Sequence, residues 1–428
     1  MRSFALLGAA AIGLGAVASA CDRPPDPADV ILGDSGPVPA DSGPVPVDGG
    51  PDAGDGGLDG GDAGPDGGPC AGLTPGEGTW VPYMRAMAAS SDTCGDVAVF
   101  QVAAGDQQSD LAFSIFGSGT DVSLVDSKGA ELHKYHDTGH LRLDAQNAGF
   151  IGVSARSNPA TFTVVRLDPT KPNDGLDTQS PTWQGFAWPG VAPSGALFAA
   201  GRIAAPAQSV ASRIALFNPT LQWNRTLSAD ADVFGIGVDE GNRALVVQAG
   251  GANGAKIGQW YDSSQAAIGG TFTLLDSFTP TESTWFELSP TIGGGLALRR
   301  IDFKNGNSDV DAYRTSEWLR VIKGGAQSAQ PAPDWLASRP NTRIVPIRGG
   351  RAYAVLRESG PGGPIPCGDQ LEILTPAGDS CGKFDYKISD TACRNRGLSV
   401  GRDGTLIQQL PWSHGTACNW RFMVGLLR

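Results

Sequence analysis

The chain of 428 residues carries a formal net charge of −12, and 18% of its residues are charged. Most of this charge lies in residues 22–69, which contain eleven aspartates and one arginine, a net charge of −10. When Arg2 is also set aside, residues 70–428 carry a net charge of only −3. A body so close to neutral lacks the basic surface that nucleic acids require, so we expect no nucleic-acid partner.

The first predicted element is an export signal at residues 1–20. Arg2 supplies a positive start, an apolar stretch runs from Phe4 to Val17, and three small residues follow. This order is typical of signal peptides, and the stretch is shorter than the roughly 20 residues that span a membrane. We therefore expect residues 1–20 to be separate from the fold.

The residue that follows the signal is a cysteine, Cys21. The sequence VASAC at this point resembles the lipobox of bacterial lipoproteins, although Ala18 stands where the lipobox prefers leucine. The resemblance implies that Cys21 becomes the mature N-terminus and anchors the protein in a lipid bilayer through acyl chains, of which more than one is needed for stable binding. It implies a cell-envelope location, for which we favour the outer membrane or cell surface over the inner membrane. The alternative is ordinary cleavage near Ala20 with an unmodified cysteine.

Residues 21–69 are predicted to be the lipidated cysteine followed by a disordered tether. The tether consists almost entirely of Asp, Gly, Pro, Ala, Val and Ser, and it has no aromatic residue. Such a composition buries too little apolar surface to offset the entropy lost on ordering. The folded body is therefore expected to span residues 70–428.

Six cysteines remain in the body once Cys21 is assigned to lipid. An exported protein keeps disulfides, and an even number of cysteines indicates three bridges, for which fifteen connectivities exist. Pairing between neighbours in the sequence would join Cys70 to Cys94, Cys367 to Cys381, and Cys393 to Cys418.

The body repeats a pattern of an apolar run, a glycine-containing turn and a second apolar run. The turn glycines of six copies are Gly149, Gly195, Gly241, Gly295, Gly350 and Gly404. A second hairpin follows most copies, so each unit predicts four strands, the content of one β-propeller blade. We predict an all-β propeller of about seven four-stranded blades. Its hairpins should start near Val97, Leu141, Val191, Phe234, Phe286, Ile344 and Gly397.

The N-terminal part of the body is predicted to close the ring, and it is also compatible with a second fold. The last unit stops after three strands, and GTWVPYM around Trp80 is predicted to supply the fourth strand and close the ring. Residues 94–168, with the hairpin GTDVSLVDSKG, also resemble a small β-sandwich that is appended to secreted bacterial peptidases. The alternative is therefore a sandwich at 94–168 followed by a five- or six-bladed propeller.

Two short segments have metal-ligand spacing, but neither predicts a metal site. ELHKYHDTGH contains His133, His136 and His140, which a curled loop would have to bring to one ion. FKNGNSDVDAY offers oxygen atoms between Asn305 and Asp311, but it lacks the glycine and the glutamate of a calcium loop. We expect no metal and no cofactor.

The tryptophans are the remaining candidates for contact with a partner. Most are interpreted as packing between blades, whereas Trp183 and Trp188 in the loop-like PTWQGFAWPG are predicted to be exposed binding residues. The body shows no nucleophile with its base and no phosphate-binding loop. We therefore predict a non-enzymatic binding or scaffold module for a cell-envelope or extracellular protein or glycan.

The alternative function is a propeller hydrolase or lyase that acts on carbohydrate. Hydrolysis of a glycosidic bond needs two carboxyl groups in one pocket. The candidates are the turn acids Asp239, Glu240 and Asp403. Sequence alone does not bring them together.

Overall fold

Seven four-stranded antiparallel sheets make up the described part of the chain. The computed structural model describes residues 68–86, 93–101, 109–116, 120–137, 140–145, 150–156, 161–167, 176–177, 183–191, 197–203, 211–217, 221–226, 233–250, 252–279, 284–304, 313–347, 349–357, 370–386, 397–402, 404–410 and 417–424. In six of the sheets, four consecutive strands pair in chain order. This arrangement is a β-propeller of seven blades, as the repeated pattern predicts.

The first four blades contain β2 to β17. The first blade comprises β2 (Thr93–Gln101), β3 (Ser109–Phe116), β4 (Thr120–Val125) and β5 (Glu131–Asp137). The second comprises β6 (His140–Ala145), β7 (Phe150–Arg156), β8 (Thr161–Leu167) and β9 (Leu176–Asp177). The third comprises β10 (Trp183–Val191), β11 (Leu197–Ile203), β12 (Ala211–Phe217) and β13 (Leu221–Thr226). The fourth comprises β14 (Val233–Val238), β15 (Ala244–Ala249), β16 (Lys256–Tyr261) and β17 (Ala267–Leu275).

The last three blades contain the remaining strands and one short helix. The fifth blade comprises β18 (Thr284–Thr291), β19 (Gly295–Lys304), β20 (Tyr313–Lys323) and β21 (Gln330–Pro331), and helix α1 (Asp334–Ala337) follows it. The sixth comprises β22 (Thr342–Ile347), β23 (Ala352–Arg357), β24 (Gln370–Leu374) and β25 (Ser380–Asp385). The seventh comprises β26 (Gly397–Val400), β27 (Leu406–Gln409), β28 (Ala417–Met423) and β1 (Val81–Ala86).

The ring is closed by the N-terminal strand, which confirms the role predicted for GTWVPYM. β1 pairs antiparallel with β28, from Val81 opposite Phe422 to Ala86 opposite Ala417. First strands of successive blades contact one another, for example β14 with β18 and β18 with β22. The first strand of each blade therefore lies toward the centre of the ring, and the fourth lies at its rim.

The alternative with a β-sandwich at residues 94–168 is wrong. β2 to β5 form one four-stranded sheet, and β6 to β9 form the next. Their first strands contact each other as in the other blades. The hairpin GTDVSLVDSKG is the outer β4–β5 hairpin of the first blade, because its alternating pattern suits either fold and only the pairing of the strands distinguishes them.

Buried apolar side chains fill the space between neighbouring blades. One cluster joins Leu245 and Trp260 of the fourth blade to Phe286 and Leu298 of the fifth. Others join the fifth blade to the sixth, and the seventh to the first. The interpretation of tryptophans as packing residues is confirmed for three buried ones, which are Trp260, Trp318 and Trp420.

Five hairpins share the same tight turn. In each, the first turn residue donates its N–H to the carbonyl four positions later and accepts a bond from the N–H three positions later. The fourth residue takes a positive φ, and these residues are Gly129, Asn242, Gln265, Gly378 and Gly404. In three of the turns the first residue is an aspartate whose Oδ1 accepts two backbone N–H bonds; these are Asp126, Asp239 and Asp262. The aspartate thus satisfies donors that a turn would otherwise leave unpaired.

All five of these turns lie at the same end of the ring. Each joins the first strand of a blade to the second, or the third to the fourth, and antiparallel pairing places these connections together. We call this side the turn end, defined by residues 126–130, 239–243, 262–266, 375–379 and 401–405. The opposite side, where second strands lead to third strands and fourth strands lead to the next blade, is called the loop end. By strand order, its longest connections are 276–283, 305–312, 332–341, 358–369 and 386–396.

Gly324 should be intolerant of any side chain, because it faces the buried carboxylate of Asp239. A Cβ at Gly324 would overlap the Arg243 guanidinium and the Asp239 carboxylate, which are held together by an ion pair of 2.7 Å. We expect Gly324→Ala to lower the free energy of unfolding by about 1–3 kcal/mol. Gly270→Ala is the matched control, since nothing lies within 4 Å of its Cβ. Equal unfolding midpoints in urea for both variants would contradict the prediction.

Candidate functional site

A cluster of cationic and aromatic side chains lies at the loop end, between the fourth and fifth blades. It consists of Phe234, Lys256, Phe278, Arg300 and Asp302, and we call it the loop-end cluster. Phe234 and Lys256 lie at or near the starts of β14 and β16, and Phe278 follows β17. Arg300 and Asp302 approach the far end of β19. These four strand ends meet because their strands are neighbours within one blade or across the interface between two blades.

Lys256 is the central cation of the loop-end cluster. Its side chain is folded under aromatic rings, and only 6% of the residue is exposed. The ammonium donates to the carbonyl of Gly254 at 2.8 Å and lies 4.2 Å from the ring centre of Phe234 and 5.3 Å from that of Phe278. Burial lowers the pKa of Lys256. Among the described residues, no carboxylate forms an ion pair with it.

Arg300 is the second cation, and its position follows from the register of two strands. β18 and β19 place Phe286 opposite Arg300 and Thr284 opposite Asp302. The guanidinium Nε lies 2.8 Å from Asp302 Oδ2, and Nη1 lies 3.6 Å from the exposed Glu317. The guanidinium also lies 5.3 Å from the ring centre of Phe278. Phe278 therefore has one cation from each of the two blades near it.

The loop-end cluster combines two cations with aromatic faces. Carboxylates compensate the positive charge of Arg300, whereas the ammonium of Lys256 contacts a carbonyl and two aromatic rings. A partner with carboxyl or hydroxyl groups beside an apolar face matches this chemistry, because ring faces stack on apolar surfaces and ammonium groups donate hydrogen bonds. The sequence offered no signal for this cluster, since its members are far apart in the chain and follow no motif.

Asp239, predicted as a possible catalytic acid, is a structural residue of its turn. It is 0% exposed, and its Oδ1 accepts from the N–H groups of Gly241 and Arg243. Oδ2 is held by the Arg243 guanidinium at 2.8 and 2.7 Å. Glu240 lies beside it and is half-buried, whereas Asp403 lies outside the described residues. Within the described residues, both oxygens of Asp239 are therefore engaged by its own turn.

Trp183 and Trp188 lie on a strand and not in the loop that their glycine- and proline-rich surroundings predict. Both belong to β10, where Trp188 is opposite Ala200 and a register shift separates it from Trp183. Trp183 begins this first strand of the third blade and so stands at the loop end. The placement of their side chains lies outside the described part of the structure.

The two segments with metal-ligand spacing are described to different extents. His133 and His136 lie on β5, and His140 begins β6, so the first two do not form a curled loop. Their side chains and residues 305–312 lie outside the described part. Within that part, no group of three or more His, Cys, Asp or Glu side chains is arranged to hold a metal ion.

The described residues include only some of the cysteines for which bonds are predicted. Cys70, Cys381 and Cys418 are each disulfide-bonded. The side chains of Cys94, Cys367 and Cys393 lie outside the described part, as does Cys21, so the connectivity and the lipid attachment stay predictions. Among the described residues, no helix is long and apolar enough to cross a membrane.

No family model and no curated protein matches the chain. Among solved structures, it is similar to the polysaccharide lyase Uly1, with 8% identity and a TM-score of 0.40, over 77% of this chain and 90% of that one. It is also similar to prolyl oligopeptidase B from Galerina marginata, with 7% identity and a TM-score of 0.46, over 74% and 47%. Raptor from Chaetomium thermophilum gives 10% identity and a TM-score of 0.39, over 81% and 28%. The chain spans less than half the length of these last two proteins, and similarity at this level says nothing about activity.

Proposed function

We propose that this protein is a membrane-anchored, extracytoplasmic binding or scaffold lipoprotein that displays a β-propeller. Its partner is a cell-envelope or extracellular protein or glycan, which it binds at the loop end without turning it over. The observation that carries the proposal is the difference between the two ends of the ring. Among the described residues, five tight, internally satisfied turns lie at one end, and a cationic and aromatic cluster lies at the other. Loops held on a rigid scaffold are the usual place of binding residues.

The lipid anchor is tested separately from binding. In the bacterial cell, Cys21→Ser should move the protein from the membrane fraction to the soluble fraction and abolish labelling with radioactive palmitate. The parent chain, labelled and sedimented under the same conditions, is the control. A chain that stays in the membrane fraction and is unlabelled in both forms would contradict lipidation at Cys21.

Binding is tested with the full-length Cys21→Ser chain, kept oxidised so that its disulfides persist. It is incubated with acidic and neutral polysaccharides, peptidoglycan and envelope proteins, and both retention and product release are measured. Lys256→Met should weaken binding by about 10-fold or more, because it removes the charge of the loop-end cluster and keeps an apolar chain of similar length. Lys128→Met, in an exposed tight turn at the turn end, is the matched control and should leave binding unchanged.

A carbohydrate hydrolase or lyase is the outcome that would replace this proposal. It would be recognised by release of product at an enzymatic rate that is abolished by changing one carboxylate, such as Glu240→Gln or Asp403→Asn in the turns between strands. Asp239→Asn is not a suitable test of catalysis, because both oxygens of Asp239 stabilise the turn.

Equal loss of binding in Lys256→Met and Lys128→Met would contradict the assignment of the loop end.

A further inference from the structure

The residues that precede the closing strand are attached to the sixth blade. Leu73 is fully buried. A Cβ at Gly382 of β25 would lie 3.3 Å from Pro75 and 3.5 Å from Thr74, so the chain runs closely along this outer strand. The hydroxyl of Tyr386, just after β25, donates to the carbonyl of Gly76 at 3.0 Å. Burial raises the pKa of Tyr386 to about 12, so the hydroxyl keeps its proton for this bond.

Trp80 then joins the sixth blade to the seventh. Its ring meets the Tyr386 ring edge to face at 5.6 Å, and the Arg421 guanidinium lies 4.1 Å from its centre. Arg421 Nε donates to Gln408 Oε1 at 2.7 Å, and Gln408 Nε2 donates to the Tyr386 carbonyl at 2.7 Å. The four side chains form a closed ring of contacts: Tyr386 contacts Trp80, Trp80 contacts Arg421, Arg421 contacts Gln408, and Gln408 contacts Tyr386.

The closing strand itself reaches the first blade. Tyr83 stacks on Trp420 of β28 with a centroid distance of 5.9 Å. Its hydroxyl donates to Glu131 Oε2 of β5 at 3.2 Å, and Ser123 of β4 donates to the same oxygen at 2.7 Å. One continuous N-terminal segment, residues 72–86, therefore contacts the sixth, seventh and first blades.

We propose that residues 72–80 form a clasp that holds β1 against β28 and so keeps the propeller closed. β1 is the outermost strand of its sheet and pairs only with β28, so its own hydrogen bonds hold it on one side only. The contacts of residues 73–80 with Gly382, Tyr386 and Arg421 fix the chain immediately before β1 to the sixth and seventh blades. The clasp does not depend on the lipid anchor, and its effect on β1 can be measured without a membrane.

Hydrogen exchange of β1 in the full-length Cys21→Ser chain tests the clasp. Trp80→Ala should accelerate exchange of the peptide covering residues 81–86 by about 10- to 100-fold, since it removes one aromatic pair and one cation–π contact. Tyr386→Phe removes only the hydrogen bond to Gly76 and should accelerate exchange less. Trp335→Ala is the matched control, because this half-buried tryptophan packs on Tyr353 and Gly378 of the sixth blade and has no contact with residues 72–80 among those described.

The outcomes distinguish the clasp from general destabilisation and from the anchor. Faster exchange confined to residues 81–86 in Trp80→Ala and Tyr386→Phe supports the clasp. Unchanged exchange in both variants, or equal acceleration in Trp335→Ala, would overturn it. Because the Cys21→Ser chain carries no lipid, a failure of the lipoprotein proposal appears only in the membrane-fraction and palmitate measurements and leaves this result unaffected.

Discussion

Replacing Arg299 with alanine should lower the free energy of unfolding by about 3–5 kcal/mol, because it breaks a buried charged network between two blades. Arg299 of the fifth blade is only 1% exposed. Its Nη1 donates to the carbonyl of Thr342, the first residue of the sixth blade, at 2.6 Å, and Nη2 lies 2.7 Å from Glu287. Its guanidinium lies 5.4 Å from the Trp318 ring. The variant loses these contacts and leaves a cavity in their place.

Urea unfolding of the oxidised chain, followed by tryptophan fluorescence, measures this loss. Arg320→Ala is the matched control, since Arg320 lies on the adjacent strand, is only partly buried, and reaches the carbonyl of Leu319 at 3.4 Å. Arg320→Ala should lower the free energy of unfolding by less than about 1 kcal/mol. Arg299→Met fills the volume without the charge, so its free energy of unfolding should lie between those of Arg299→Ala and Arg320→Ala. A stability for Arg299→Ala equal to that of Arg320→Ala would show that the guanidinium does not join the blades.

The second large effect is expected at Glu372, a carboxylate of β24 that is 5% exposed. Arg339, from the connection after α1, binds both of its oxygens, with Nε and Nη2 each at 2.9 Å. Arg339→Ala should lower the free energy of unfolding by about 2–4 kcal/mol at neutral pH, since it leaves a buried charge without its main partner. Lys383→Ala tests the same carboxylate from the other side. Lys383 is 55% exposed and 3.7 Å away, so its loss should cost under about 1 kcal/mol.

The effect of Arg339→Ala should depend on pH in a specific direction. Burial acts to raise the pKa of Glu372, but hydrogen bonds from Arg339 and Ser380 and the nearby positive charges outweigh it, so the pKa lies below its ordinary value of 4.5. A carboxyl with a lowered folded-state pKa stabilises the protein above the unfolded-state pKa, and this stability is lost as pH falls through the folded-state pKa. Without Arg339, the pKa of Glu372 should rise. The difference between parent and variant should therefore be largest near pH 7 and shrink below about pH 4.5, and a difference that grows on acidification would contradict this assignment.

The blade architecture was predictable because each blade repeats the same local chemistry. Glycine-containing turns such as those at Gly350 and Gly404 recur between alternating apolar runs, and both residues take a positive φ. The closing strand was predictable because a unit with three strands leaves an unpaired edge. The role of Asp239 was not predictable in full, since a sequence shows that this residue is in a turn but does not show that Arg243 encloses it.

The polar contacts between blades were not predictable, because they depend on register and on how two sheets pack. Arg299 and Arg300 are adjacent in the sequence, yet one is buried against Thr342 and the other reaches Asp302 near the surface. Lys256 carries no local pattern that distinguishes it from an exposed lysine. Trp183 and Trp188 were predicted to lie in a loop because Gly185, Pro189 and Gly190 surround them, although these residues belong to β10, the first strand of its blade, which has an irregular register.

The course of residues 73–80 along β25 has a consequence for the geometry of binding. These contacts place residues 73–80 against the sixth and seventh blades. The loop-end cluster lies between the fourth and fifth blades. Occupancy of the cluster by a ligand therefore does not require residues 73–80 to move.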